Sequence, residues 1–108
     1  MITRKQTITH QLTDAFQPSF IQVEDESGNH HVPENAQTHF KVIVVSTAFD
    51  NLTRVARHKL VNNLLKEQFA QGMHALSMHL YTASEWALKN QTVMNSPNCK
   101  DGYKHNLD

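Results

Sequence analysis

The chain has a single cysteine, Cys99, in 108 residues. One thiol excludes an internal disulfide and any metal site built from the chain's own thiolates. Neither sign of charge is in excess: Lys+Arg and Asp+Glu number 10 each, for a formal net charge of zero. A neutral chain is not a general binder of polyanions, so a nucleic-acid role would have to come from charge placed locally. No apolar run approaches the roughly 20 residues that span a bilayer, and no membrane partner is expected. There is no signal-peptide pattern. With so little cysteine, that leads to the expectation of a cytoplasmic protein. A glycine-rich phosphate loop and a catalytic pair of carboxylates are also missing. Asp25 and Glu26 are adjacent, so at a strand end they diverge, and Cys99 sits in a polar tail with no neighbouring base. Acid–base and nucleophilic catalysis have nothing to rest on, so the protein is expected not to be an enzyme. There are no repeats and no low-complexity tracts.

What is present is organised around the run from Thr38 to Phe69. At 108 residues the chain is long enough for one domain with one core. Phe40, Val42 and Val44 alternate with Ile43 and Val45, so both faces of this stretch are apolar. A β-branched run covered on both sides is a central strand rather than an edge. Leu60, Val61, Leu64 and Leu65 then recur at helical spacing and must lie on the sheet. Opposite them stand Lys59, Asn62, Asn63 and Lys66.

In chain order, Thr3 to Phe16 reads as an amphipathic helix with Ile8, Leu12, Ala15 and Phe16 on one side, stopped by Pro18. Ile21 and Val23 alternate with Gln22 and Glu24 as a short strand with one covered face. Asp25 to Gln37 is a polar loop holding His30 and His31. It is longer than a hairpin connection of about 2–5 residues, and long loops are often functional. After the central strand, the stripe of Leu52, Val55 and Ala56 is out of phase with that of Leu60, Val61 and Leu64. Two helices are therefore expected, a short one near Asn51–Val55 and a longer one near Arg57–Phe69, ended by Gly72. Met73 to Tyr81 reads as a third strand, with His74, Leu76, Met78 and Leu80 on one face and Ala75, Ser77, His79 and Tyr81 on the other. Thr82 and Glu85 have capping-box spacing for a last helix holding Trp86. Residues 1–90 form the domain, and 91–108 form a polar tail expected to be poorly ordered. The order is αββααβα, an α+β domain with helices on a three-stranded sheet.

Asp25-Glu26-Ser27-Gly28-Asn29-His30, Val32-Pro33 and Thr38-His39-Phe40-Lys41-Val42 resemble the signature of the BolA family. Arg57-His58-Lys59-Leu60-Val61 resembles its helix motif, and Met73-His74-Ala75-Leu76 its third-strand motif. Tyr81-Thr82, Glu85-Trp86 and Ser96-Pro97-Asn98-Cys99 look like its proteobacterial members. The match runs from about Phe16 to Cys99, and several separated motifs in the right order make it specific. The resemblance implies a class II KH-like domain with a three-stranded mixed sheet packed by helices, and no enzymatic activity. It implies two roles. One is a partner of monothiol glutaredoxins, with their glutathione, that shares a [2Fe-2S] cluster. The other is a regulator of stress response and cell morphology that binds duplex DNA. Either role alone is the alternative, and a homodimer is compatible with both. The glycine-rich GxxG loop with which KH domains clamp nucleic acid has no counterpart between the two central helices.

The chain has eight histidines, and imidazole is the commonest metal ligand. From spacing alone His74 is a strand-end histidine bonded to a carbonyl, but the resemblance makes it the cluster ligand. His30 stands where relatives offer a second ligand, His31 is its substitute, and His39 also fits the family motif while suiting a loop-organising role equally well. His79 is five residues from His74, so on one strand their side chains point to opposite faces. A [2Fe-2S] centre takes four ligands, usually thiolates, so with one cysteine the chain holds no cluster when alone. It can contribute neutral imidazole, which raises the reduction potential relative to thiolate. A plain zinc site lacks the usual tight spacing. Arg54, Arg57, Lys59 and Lys66 lie in a stretch with no acidic residue, and with Asn62 and Asn63 they form the candidate nucleic-acid surface. Such a run is otherwise an ordinary solvated helix face or a dock for an acidic partner.

Overall fold

The computed structural model describes residues 2–27 and 37–89. Within them, α1 spans Arg4–Phe16, β1 Phe20–Asp25, β2 His39–Val45, α2 Arg54–Leu64, α3 Lys66–Ala70, β3 Ala75–Tyr81 and α4 Ala83–Leu88, with a 3-10 turn at Thr47–Phe49 before α2. Threonine starts three of the four helices. The hydroxyls of Thr3, Thr53 and Thr82 accept from the backbone N–H groups of Gln6, Ala56 and Glu85, and the first and last are closed capping boxes.

The sheet order is β1-β2-β3, antiparallel between β1 and β2 and parallel between β2 and β3. β2 is thus central, as its two apolar faces require. Phe40, Val42 and Val44 pack with Ile8, Leu12, Phe49, Val61, Leu65, Met73 and Leu80 beneath α1, α2 and α3. Ile43 and Val45 join Tyr81 and Trp86 on the other face. Trp86 lies between Phe20 and Tyr81, with ring centroids 5.1 and 5.5 Å away.

Five expectations need correction. No helix starts at Asn51. That residue has φ 66°, outside helical geometry, and α2 begins only after the Thr53 cap. The expected single helix to Phe69 divides at Leu65, where φ −101° and ψ 14° end α2 and let α3 restart. Leu60, placed on the buried stripe, is 44 % exposed, because the buried line of α2 is Arg57 and Val61 followed by Leu65. Ala15 is exposed, leaving Ile8, Leu12 and half-buried Phe16 as the inner side of α1. The third strand also starts later than Met73, which instead goes into the core. No helix among the described residues is long and apolar enough to cross a membrane. His30, His31 and the 91–108 tail lie outside the described residues.

Candidate functional site

Two histidines meet at the end of the sheet where β2 and β3 begin. The rings of His39 and His74 are edge to face, with centroids 6.0 Å apart. Strand alternation does not foretell this, because His39 has the parity of Ile43 and His74 that of Leu76. They meet because His74 precedes β3: its N–H and that of Ala75 both donate to Thr38 O, at 2.8 and 3.1 Å. The turn before β3 is thereby held against the residue before β2. His74 is exposed and His39 half-buried.

The segment between Ser27 and Thr38, which includes His30 and His31, is anchored here at both ends. Ser27 closes its base, because its buried hydroxyl accepts from the backbone N–H of Thr38 at 2.8 Å and of His39 at 3.1 Å. Asp25 Oδ1 accepts from Ser27 N at 2.9 Å, and Glu26 N donates to His39 O. Thr38 Oγ1 stands 2.9 Å from His39 Nδ1. In the tautomer where Nδ1–H donates to that hydroxyl, Nε2 carries the lone pair a metal needs.

The pair suits one metal centre in part. With metal–nitrogen distances of about 2.0–2.1 Å, two imidazoles on one ion put their ring centres about 5 Å apart. The observed separation is 6.0 Å, with the rings edge to face. No group of three or more His, Cys, Asp or Glu comes together among the described residues. Ligands beyond these two would have to come from the loop or from another molecule. His79 lies outside this pair: it pairs with Ile43 well along the sheet and lines a groove of about 500 Å³ between α2 and β3 with His58 and Asn62.

The basic surface is smaller than its sequence suggests. Lys59, Asn62, Asn63 and Lys66 are all exposed and border one shallow depression. Arg57 leaves this set. Only 6 % exposed, it donates through Nε to Leu52 O at 3.0 Å and through Nη1 to Leu80 O at 3.0 Å. It also grips Glu85 in a two-pronged pair, at 2.6 and 3.0 Å. Its place on the inner line of α2, one turn before Val61, puts the guanidinium between α2, β3 and α4. Hydrogen bonding from Arg57 holds the Glu85 carboxyl at about 2, against an ordinary 4.5; partial burial opposes this, and the Thr82 N–H and the charges of Arg57 and Arg54 reinforce it. Arg54 is exposed but stands near that carboxylate, to one side of the lysine stripe. α2 and α3 meet at Leu65 with no glycine between them, so the glycine-rich loop by which KH domains hold a nucleic-acid backbone has no counterpart there.

Ser27, Thr38 and the Arg57–Glu85 pair shape these surfaces and were not singled out for it in the sequence. The Ser27–Thr38 and Arg57–Glu85 bonds act across 11 and 28 residues of chain, beyond the reach of local spacing.

A family model described as BolA-like protein matches residues 12–85. A Vibrio cholerae protein named DNA-binding transcriptional regulator BolA is 47% identical over 95 residues, covering 88% of this chain and 90% of its own. Among solved structures, BolA1 from Mus musculus superposes with a TM-score of 0.75 at 34% identity, covering 87% of this chain and 76% of that one. BolA1 from Arabidopsis thaliana does so with a TM-score of 0.74 at 33% identity, covering 79% and 97%.

Proposed function

The chain belongs to the BolA family, and from that premise we propose that it is a non-enzymatic regulator that binds duplex DNA. The activity named for the Vibrio cholerae relative is carried over to the exposed stripe of Lys59, Asn62, Asn63 and Lys66. That acid-free stripe is the observation that carries the reading. The two lysines neutralise phosphates and release counterions, and the amides between them can donate to and accept from backbone oxygens or base edges. Arg54 adds charge at the side, while Arg57 sets how α2 lies on the sheet. Regulation of stress response and cell morphology follows from the family resemblance.

Titration of a labelled duplex at two salt concentrations tests this. The wild type should bind with an affinity that falls steeply with salt. The Lys59→Ala/Lys66→Ala double variant should bind more weakly, its logarithmic salt slope shallower by about 0.9 for each lysine that contacts a phosphate. Identical titrations for the two proteins would remove Lys59 and Lys66 from the interface.

The 6.0 Å approach of His39 and His74 supports a second role, sharing a [2Fe-2S] cluster with a monothiol glutaredoxin and its glutathione. When bound, the cluster would bring one-electron redox chemistry, tuned upward in potential by imidazole ligation. This chain's part is to present the His74 imidazole, with His39, His30 or His31 as the second, on a frame fixed by Ser27 and Thr38. Co-expression with such a glutaredoxin should give a coloured heterodimer, and His74→Ala should bleach it or shift its visible spectrum. An unchanged spectrum would remove His74 as a ligand. His30→Ala should have the smaller effect, since His31 can stand in.

A further inference from the structure

We propose that Arg4 is a positioning residue for the two-histidine end of the sheet, its guanidinium tying together the chain segments that deliver His39 and His74. The proposal deepens the metal reading of that pair and rests on it for function, though not for geometry.

Arg4 opens α1, far in sequence from both histidines. Its Nη1 donates to Gln37 O, and its backbone N–H donates to Gln37 Oε1 at 2.7 Å. Gln37 lies two residues before His39. Nη2 donates to Gln71 O at 2.8 Å, three residues before His74. Nε donates to the side chain of buried Gln68 at 3.0 Å, and Gln68 O in turn accepts from Met73 N, next to His74. One side chain thus holds Gln37, two residues before β2, and the α3–β3 turn at once. A guanidinium holds its donors in a fixed planar fork and so meets these three acceptors in set directions, whereas an ammonium is a compact charge on a flexible stem.

Two further observations agree. Gly72, between Gln71 and Met73, has φ +116°, and a Cβ there would lie 3.8 and 3.9 Å from the two Nη atoms, so the guanidinium packs over the open face of the turn. In addition, the first turn of α1 has no acidic residue, and its first position is this cation. A positive charge at a helix N-terminus opposes the macrodipole. At Arg4 this local cost is offset by the three acceptors that the guanidinium meets.

The test uses the full chain, isotopically labelled, with Arg4→Ala, Arg4→Lys and, as a neighbouring exposed control, Lys5→Ala. Ring-to-ring nuclear Overhauser contacts between His39 and His74 read the geometry, and zinc chloride titration reads the ligand pair, at a temperature where circular dichroism shows each variant folded. The wild type and Lys5→Ala should show the ring contact. Arg4→Ala should lose it and bind zinc roughly 10- to 100-fold more weakly, the usual effect of removing a residue that orients a ligand. Arg4→Lys should recover thermal stability without recovering the ring contact, which separates positioning from general stabilisation. Should Arg4→Ala prove unfolded, Arg4→Lys alone decides by the same reading. Ring contacts preserved in a folded Arg4 variant, or absent from the wild type, overturn the proposal. Zinc binding unaffected by His74→Ala would defeat the metal reading, while the ring contacts still judge Arg4.

Discussion

Ser27 fixes two amides with one hydroxyl, and those amides belong to Thr38 and His39. Replacing it with alanine removes the acceptor these two amides share in a part-buried setting, at a cost of about 1–3 kcal/mol. Chemical denaturation should show the loss as a lower midpoint with an unchanged slope. Ser27→Thr keeps the hydroxyl and should recover part of the loss. Histidine is legible at this scale only as a residue type. The sequence presents His30, His31, His39, His74 and His79 as equals in chemistry, and spacing removes only His79 as a partner of His74. That His39 is within 6.0 Å of His74 depends on the shared acceptor Thr38 O, which no local pattern announces.

Helix α2 joins two demands on opposite sides. Its inner line holds Arg57 and Val61, and its outer line Lys59, Asn62 and Asn63. Arg57 is tied to α4 through Glu85, whose carboxyl is held at about 2 in the folded protein against 4.5 ordinarily. The folded value is the lower one, so on acidification the unfolded chain takes up the proton first. The stabilisation is complete above about pH 5 and is lost as pH falls toward 2. Glu85→Gln should therefore flatten the acid limb of a denaturation midpoint plotted against pH. At neutral pH it should cost about 1–2 kcal/mol, less than for a fully buried pair because the glutamate side chain is 43% exposed. An acid limb with the wild-type slope would show that the pair is not coupled to folding. Lys59→Ala/Lys66→Ala, by contrast, should leave the midpoint within about 0.5 kcal/mol, because both side chains are exposed. A burial-blind reading of the motif groups Arg57 with those lysines, since all three are basic and local. The phase of the helix against the sheet separates them.

Over the whole molecule, one core on the α1–α2–α3 side carries most of the apolar burial, and Leu12 from α1 is fully enclosed in it. Leu12→Ala should cost about 2–5 kcal/mol, a large share of the stability of a domain this size, as measured by urea unfolding. The histidine end and the lysine stripe lie on different elements, so their losses should be separable. His74→Ala should spare the salt-dependent duplex binding, and the double lysine variant should spare the coloured glutaredoxin complex. Loss of both activities in either variant would mean one shared surface. By itself the sequence determined the element order, the central place of β2 with Phe40, Val42 and Val44 opposite Ile43 and Val45, and the Thr82–Glu85 cap. These follow from alternation, helical period and capping, which act over a few residues. Only the tertiary structure decided where α2 begins, that Leu60 faces outward and Arg57 inward, and that Arg4, Ser27 and Thr38 converge on His39 and His74. Those outcomes depend on carbonyls and side chains brought together from distant parts of the chain, and on the angle at which a helix settles onto a twisted sheet.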